Sequence, residues 1–173
     1  FCVLLVKDFK SDITGSKSRY EYKESPAGTQ ILESDVLAYF TWIPRFKYQL
    51  FSSNEATSIN VIFESVGSSK SNGTQTGQWL THPAFTTNGR ELSGIWVAKY
   101  ESSNSDNNIV IKSGLTPWTN IGYNDSFSLS DSMVNENNIY GLSGVNTHMI
   151  QNNEWSAVTY LTQSIYGLNE RVN

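Results

Sequence analysis

Phe40, Trp42, Phe46, Tyr48 and Leu50 fall two or four positions apart, all on one parity. A strand turns successive side chains to opposite faces, so this spacing lines large apolar groups along one side of an extended chain. A helix would scatter them around its circumference. The block Val36–Phe51 therefore predicts a strand with one buried face. Pro44 inside it has no amide hydrogen for a ladder and must sit at an edge, bulge or bend.

Further strands are predicted on the same grounds. Ser58–Val66 alternates, with Ile59, Val61 and Phe63 on one face. Leu92–Glu101 is apolar on both parities, which predicts a central strand covered on two faces. Ile109, Val110 and Ile111 form a short β-branched run. The apolar stretch Phe1–Val6 fits an interior strand or the tail of a membrane or signal segment, and the strand is preferred. Ser11–Glu33 is polar and rich in turn formers, so it reads as an extended arm or hairpin outside the core. Gly67–Gly77 is a loop by composition, and Gly114–Ser132 reads as irregular.

One segment has a helical period. Trp155, Val158, Leu161 and Ile165 are spaced 3, 3 and 4 apart. Asn152 or Asn153 suits the N-cap, Glu154 the first turn, and Gly167 a left-handed C-terminal cap. This predicts a helix over about Asn153–Tyr166, burying Trp155, Val158 and Leu161 against the strand Ile95–Tyr100. The expected class is α+β, with an N-terminal strand and polar arm over 1–35 and a loop-rich domain over 36–173.

Composition narrows the function classes. Charged residues are 16% of the chain, against about 25% in an ordinary soluble domain. In their place stand 24 Ser, 17 Asn and 14 Thr. The 22 aromatic residues exclude a disordered chain. A net charge of −4 supplies no basic field for nucleic-acid phosphates, so no nucleic-acid partner is expected. No apolar run approaches the roughly 20 residues that span a bilayer, so no embedded membrane segment is expected. A charge-poor, Ser/Thr/Asn-rich, aromatic-rich chain leans toward an extracellular place, on a bacterial cell surface or a virion.

Four blocks in order resemble a known family. They are Trp42-Ile43-Pro44-Arg45-Phe46, His82-Pro83-Ala84-Phe85, Ile95-Trp96-Val97-Ala98-Lys99-Tyr100-Glu101, and His148-Met149 through Glu154-Trp155 to Ala157. Together they are similar to formylglycine-generating-enzyme-like (sulfatase-modifying-factor) domains, in the non-catalytic branch found in bacterial and phage surface proteins. The resemblance covers roughly Val36 to Gly167. It implies a C-type-lectin-like fold: small, irregular antiparallel sheets, many loops, and one main helix near the C-terminus. The family's oxidases carry catalytic cysteines in a C-terminal segment with an R-G-G-S motif. This sequence has Cys2 as its single cysteine and no such motif, so a C-terminally shortened, non-catalytic version is expected.

No catalytic residue is therefore expected. His82 and His148 are 66 positions apart and form no HExxH or HxH pair. His82 is expected to pack beside Trp79 and Phe85, and His148 to hold the start of the helix. Glu101 and Glu154 read as structural carboxylates. The loop Asn104–Asn108 offers oxygen ligands of the kind calcium prefers but lacks EF-hand spacing. No cofactor and no metal site are expected, with calcium the one weak candidate. Asn72-Gly-Thr and Asn124-Asp-Ser satisfy the glycosylation sequon.

The binding candidates are Trp79, Trp118, Asn120 and Tyr123, which sit in Gly-, Pro- and Asn-rich surroundings off the core periodicities. Trp and Tyr in such places supply large rigid contact areas, or plug loops from beneath. The expected function is a non-catalytic, surface-displayed binding or adhesion domain, such as a phage tail or cell-surface protein carries. Its partner is a protein or glycan on a cell surface. One alternative is a structural subunit of a pilus-like or fibre assembly, whose partners are identical subunits. A second is an enzyme related to the formylglycine-generating oxidases.

Overall fold

A computed structural model describes residues 2–49, 59–68 and 77–170. Leu50, Phe51 and residues 69–76 of the Gly67–Gly77 loop, with the Asn72 sequon, lie outside the described residues. The chain is mixed α/β, with small antiparallel sheets and few helices. The elements are β1 (Cys2–Val6), α1 (Arg19–Lys23), β2 (Val36–Pro44), β3 (Phe46–Gln49), β4 (Val61–Phe63), β5 (Trp79–Thr81), β6 (Thr86–Thr87), β7 (Arg90–Glu91), β8 (Gly94–Ala98), β9 (Ser103–Ser105), β10 (Asn108–Val110), α2 (Tyr123–Ser132) and α3 (Asn152–Thr162). They fall into two compact units, Phe1–Thr41 with Val97–Met149, and Trp42–Trp96 with Ile150–Asn173.

The aromatic block of the sequence is two strands, not one. β2 ends at Pro44 and β3 starts at Phe46, so the proline closes a strand, as its missing amide requires. β1 runs antiparallel to β2, with Val3 opposite Phe40 and Leu5 opposite Ala38. The other neighbour of β2 is β8. Lys99 N–H donates to the Tyr39 carbonyl and Arg45 N–H to the Ser93 carbonyl, which runs these strands antiparallel and sets Trp42 opposite Trp96. Their ring centroids are 4.9 Å apart. Gly94 makes room for this pair, because a Cβ there would lie 2.4 Å from Trp42 Cζ2. β8 is thus an outer strand, with Trp96 44% exposed, and not the central strand expected. The indole pair and the half-buried Ile95 and Val97 account for its apolar content on both parities.

In the first unit the core is Leu37, Ala38, Ile109, Ile111, Met133 and Tyr140. The polar segment before β2 is folded onto Asp35, not extended. Asp35 is fully buried; its carboxylate accepts from Ser16 Oγ (2.7 Å), Tyr22 Oη (2.7 Å) and the Lys17 N–H (3.1 Å). Burial pushes its pKa up, but these hydrogen bonds outweigh burial and hold the carboxyl below its usual value. α1 starts on a Ser18–Glu21 capping box inside this segment. Arg19 Nε donates to the Val6 carbonyl and its Nη2 to the Ile139 carbonyl.

α2 replaces an expected irregular stretch. Its inward face is Ser126, Leu129 and Ser130, continued by the buried Met133, at helical spacing. Serine supplies half of that stripe, so no apolar period is visible in the sequence. Ser126 Oγ donates to the Gly122 carbonyl and Ser130 Oγ to the Ser126 carbonyl, the back-bonding that lets serine sit in a helix.

In the second unit β4, β3 and β5 form an antiparallel sheet with β3 in the middle. Ile59 and Val61 are buried as expected, while Phe63 is 43% exposed and its ring lies tilted against Tyr166, 4.6 Å between centroids. α3 begins within a residue of the expected start, with Glu154 accepting the Gln151 N–H at 2.8 Å. Its buried residues are Glu154 and Ala157, followed beyond the helix by Gln163 and Ser164. Trp155 is 61% and Ile165 70% exposed, so the expected stripe is off by one residue, about 100° of helix. The helix packs on the turn Pro83–Phe85. It also ends earlier, at Thr162, and Gly167 is not left-handed. The left-handed residue there is Asn169.

Candidate binding site

The second unit holds a buried charge cluster. Arg45, 1% exposed, pairs through Nε with Glu64 (2.9 Å) and through Nη1 with Glu91 (2.6 Å). Lys47 Nζ reaches the other oxygen of Glu64 at 3.3 Å. Two cations face two carboxylates, and Arg45 Nη1 also donates to the Phe85 carbonyl at 3.2 Å. Buried charge needs such compensation, and this cluster ties the start of β3 to the end of β4 and to β7.

His82 is 1% exposed, ringed by Phe46, Tyr48, Phe85 and Tyr160. Phe85 is the neighbour expected for it; its ring contacts do not include Trp79. Burial lowers its pKa to about 4, so it is neutral at physiological pH. Its Nδ1 accepts the Ala84 N–H at 3.3 Å, which leaves the proton on Nε2. Nε2 lies 3.2 Å from Ser156 Oγ, and that hydroxyl donates to the Asn153 carbonyl at 2.8 Å. In this tautomer His82 is a donor toward Ser156 and cannot take its proton. The pair resembles a nucleophile–base dyad in composition only. His148 is exposed and bonds Asn146 Oδ1 at 2.8 Å.

The first unit carries a shallow polar depression. Its volume is about 150 Å³, and it is lined by Asn107, Asn108, Ser132, Asn137 and Asn138, with Ile109, Leu129, Ile139 and Tyr140. The β9–β10 hairpin supplies one wall. Its two-residue turn places Asp106 and Asn107 at φ +52° and +62°, values that asparagine and aspartate tolerate best after glycine. Asn104 Oδ1 accepts the Asn107 N–H at 2.9 Å, so the loop weighed for calcium spends this oxygen on its own turn. Among the described residues no group of three or more His, Cys, Asp or Glu is placed to hold a metal.

The opposite wall is residues 137–140. Asn137 is left-handed at φ +62°. Both hydrogens of the Asn138 amide are used, Nδ2 donating to the Asn135 and Leu142 carbonyls, and Oδ1 accepts the Leu142 N–H. The Tyr140 hydroxyl bonds both backbone groups of Ile109, and burial raises its pKa. The depression therefore has a pinned floor and walls, with the exposed Asn107 and Asn137 at its margin.

Trp118, Asn120 and Tyr123 belong to this first unit, and Trp79 to the second. Trp118 is half-buried and packed against the core of Leu37, Ala38, Ile109 and Ile111, the position of a plug. Asn120 is exposed and left-handed at φ +56°, and Tyr123 is 73% exposed on the first residue of α2. Trp79 is half-buried opposite Gln49 in the β3–β5 ladder. The sequence singles out Asn107 only within the loop weighed for calcium, and Asn137 and Asn138 not at all. The available signal was two asparagine runs, 104–108 and 135–138, each able to supply left-handed positions without glycine.

Among the described residues no helix is long and apolar enough to cross a membrane. No family model matches the chain, and no curated protein or solved structure is similar to it.

Proposed function

We propose that this chain is a non-catalytic, surface-displayed binding or adhesion domain of a virion or bacterial cell. The neutral, amide-lined depression of the first unit carries this reading, because it is built from side chains that recognise but do not react. Asn and Ser offer donors and acceptors without a titratable proton or a nucleophile–base pair. The Ser156–His82 geometry argues against acyl-transfer chemistry at that pair. Cys2, the single cysteine, argues against the oxidase chemistry of the formylglycine-generating family.

The finer fold reading, C-type-lectin-like, belongs to the same proposal. Its support is the start of α3 beside Glu154-Trp155 and the strand at Gly94–Ala98, where the resemblance expects them. Fluorescently labelled chain mixed with a panel of intact bacterial cells tests the function. Saturable cell binding is the expected result, and no binding to any cell of the panel counts against it.

A second reading, a structural subunit of an extracellular appendage, has its own observation. The outer strands of the β1–β2–β8 sheet, Cys-Val-Leu-Leu-Val and Gly-Ile-Trp-Val-Ala, carry no charge and no proline. Sheet edges are usually guarded by such residues, and unguarded edges pair with other chains. Light scattering after size exclusion separates the readings: a subunit grows in mass with concentration, whereas the binding domain stays a monomer.

A further inference from the structure

We propose that the depression between the β9–β10 turn and residues 137–140 is a subsite for one uncharged sugar residue; this rests on the binding-domain reading. The lining excludes other ligand classes in turn. No Lys or Arg lines it, so it has no counter-charge for a phosphate or carboxylate. No Asp or Glu lines it, so it lacks the oxygen charge a divalent cation requires. Its volume of about 150 Å³ is below the roughly 300–1,000 Å³ of drug-sized pockets, so its occupant is at most one compact ring.

What remains is a ligand dense in neutral groups that donate and accept at once. Each asparagine amide has two donor hydrogens and an acceptor oxygen, the complement of neighbouring sugar hydroxyls. Asn108 Nδ2 turns to the Asp106 carbonyl and the Asn138 amide is spent on its own loop. The ligand's hydroxyls then fall chiefly to Asn107 and Asn137, with Asn108 Oδ1 as a further acceptor. Ile139 and Leu129 supply the aliphatic surface that the C–H face of a pyranose covers. The site is rigid before binding, because the Asn107 N–H and both backbone groups of Ile109 are already bonded. Preorganisation lowers the ordering cost that otherwise consumes the small binding energy of one sugar.

The test is NMR titration of the whole chain with methyl glycosides of neutral hexoses and N-acetylhexosamines, and with methyl glucuronide. The side-chain amide resonances of Asn107 and Asn137 should shift saturably with at least one neutral glycoside, at a Kd on the order of 1 mM. Asn137→Ala and Asn107→Ala should each weaken that binding about tenfold, while Thr87→Ala in the other unit leaves it unchanged. Unchanged amide dispersion in each variant confirms that it is folded. A stronger response to the glucuronide overturns the uncharged-ligand assignment. If no glycoside moves these resonances while the chain still binds cells, the sugar subsite falls and the binding-domain reading stands. If cell binding is absent as well, both fall.

Discussion

The Tyr140 hydroxyl holds both backbone groups of Ile109, accepting its N–H at 2.9 Å and donating to its carbonyl at 3.1 Å. Ile109 lies opposite Asn104 in the β9–β10 hairpin, one pair beyond the Ser105–Asn108 pair that closes the turn. In an antiparallel ladder alternate pairs turn their N–H and C=O outward. One phenol thus stands in for a third strand, on a residue 6% exposed.

Tyr140→Phe keeps the ring and removes both bonds. The orphaned groups of Ile109 cost about 1–3 kcal/mol. Urea unfolding should show a lower midpoint with an unchanged slope. An unchanged midpoint would mean that water replaces the hydroxyl.

His82 makes stability fall with acidity. Its folded pKa of about 4 lies below the ordinary value of 6.5, so the unfolded chain takes up this proton first. Above pH 6.5 both states are neutral and the residue has no effect. Between pH 6.5 and 4 the unfolded state gains on the native one, by on the order of 3 kcal/mol. Asp35, held below its usual value, adds to the loss only at lower pH, as its carboxylate protonates. His82→Gln should flatten the slope of stability against pH between 6.5 and 4.

Truncating Arg45 leaves Glu64, whose side chain is 5% exposed, beside Lys47 alone. Breaking a buried pair from one side costs about 3–5 kcal/mol. Arg45→Met should therefore lower the melting temperature sharply, and Arg45→Met with Glu64→Gln should recover part of the loss. No recovery in the double variant would show that the arginine acts through its carbonyl contacts.

How much of this was legible depends on which residue types do the burying. The strands at Val36–Pro44 and Gly94–Ala98 were readable because β-branched and aromatic residues crowd there, but the period was not: β2 buries Val36, Leu37, Ala38 and Ile43 and leaves Phe40 and Trp42 half-buried. α2 was not, because Ser126 and Ser130 stand where apolar residues would mark its inner face. In α3 the apolar stripe was real but not the buried one: Ala157 and Glu154 face inward while Trp155 faces out. The depression escaped for a related reason, since asparagine in the left-handed region looks like any loop asparagine in a sequence.

Gly141 is tied to Arg19. At φ +68° it sits where side chains are strained, and a Cβ would come within 2.1 Å of Arg19 Nη1. Gly141→Ala should cost more than the roughly 1 kcal/mol of left-handed strain alone. In an Arg19→Ala background only that strain should remain. A double-mutant cycle by urea unfolding reads the coupling, and strict additivity would place the guanidinium elsewhere.

Trp118 and Tyr123 should separate by their readouts. The Trp118 indole is half-buried on the first unit's core, whereas Tyr123 is 73% exposed. Trp118→Ala therefore removes packing and should cost about 2–4 kcal/mol, somewhat below the range for fully buried aromatics. Tyr123→Ala should leave stability within about 0.5 kcal/mol, as surface changes do. Under the proposed binding function the order reverses at the partner contact: an exposed aromatic anchor is worth about 1–3 kcal/mol, and Tyr123→Ala should weaken cell binding by that amount. Melting temperature and cell binding measured on both variants give the answer. Weaker cell binding by Trp118→Ala at an unchanged melting temperature would make the tryptophan a contact residue and not a plug.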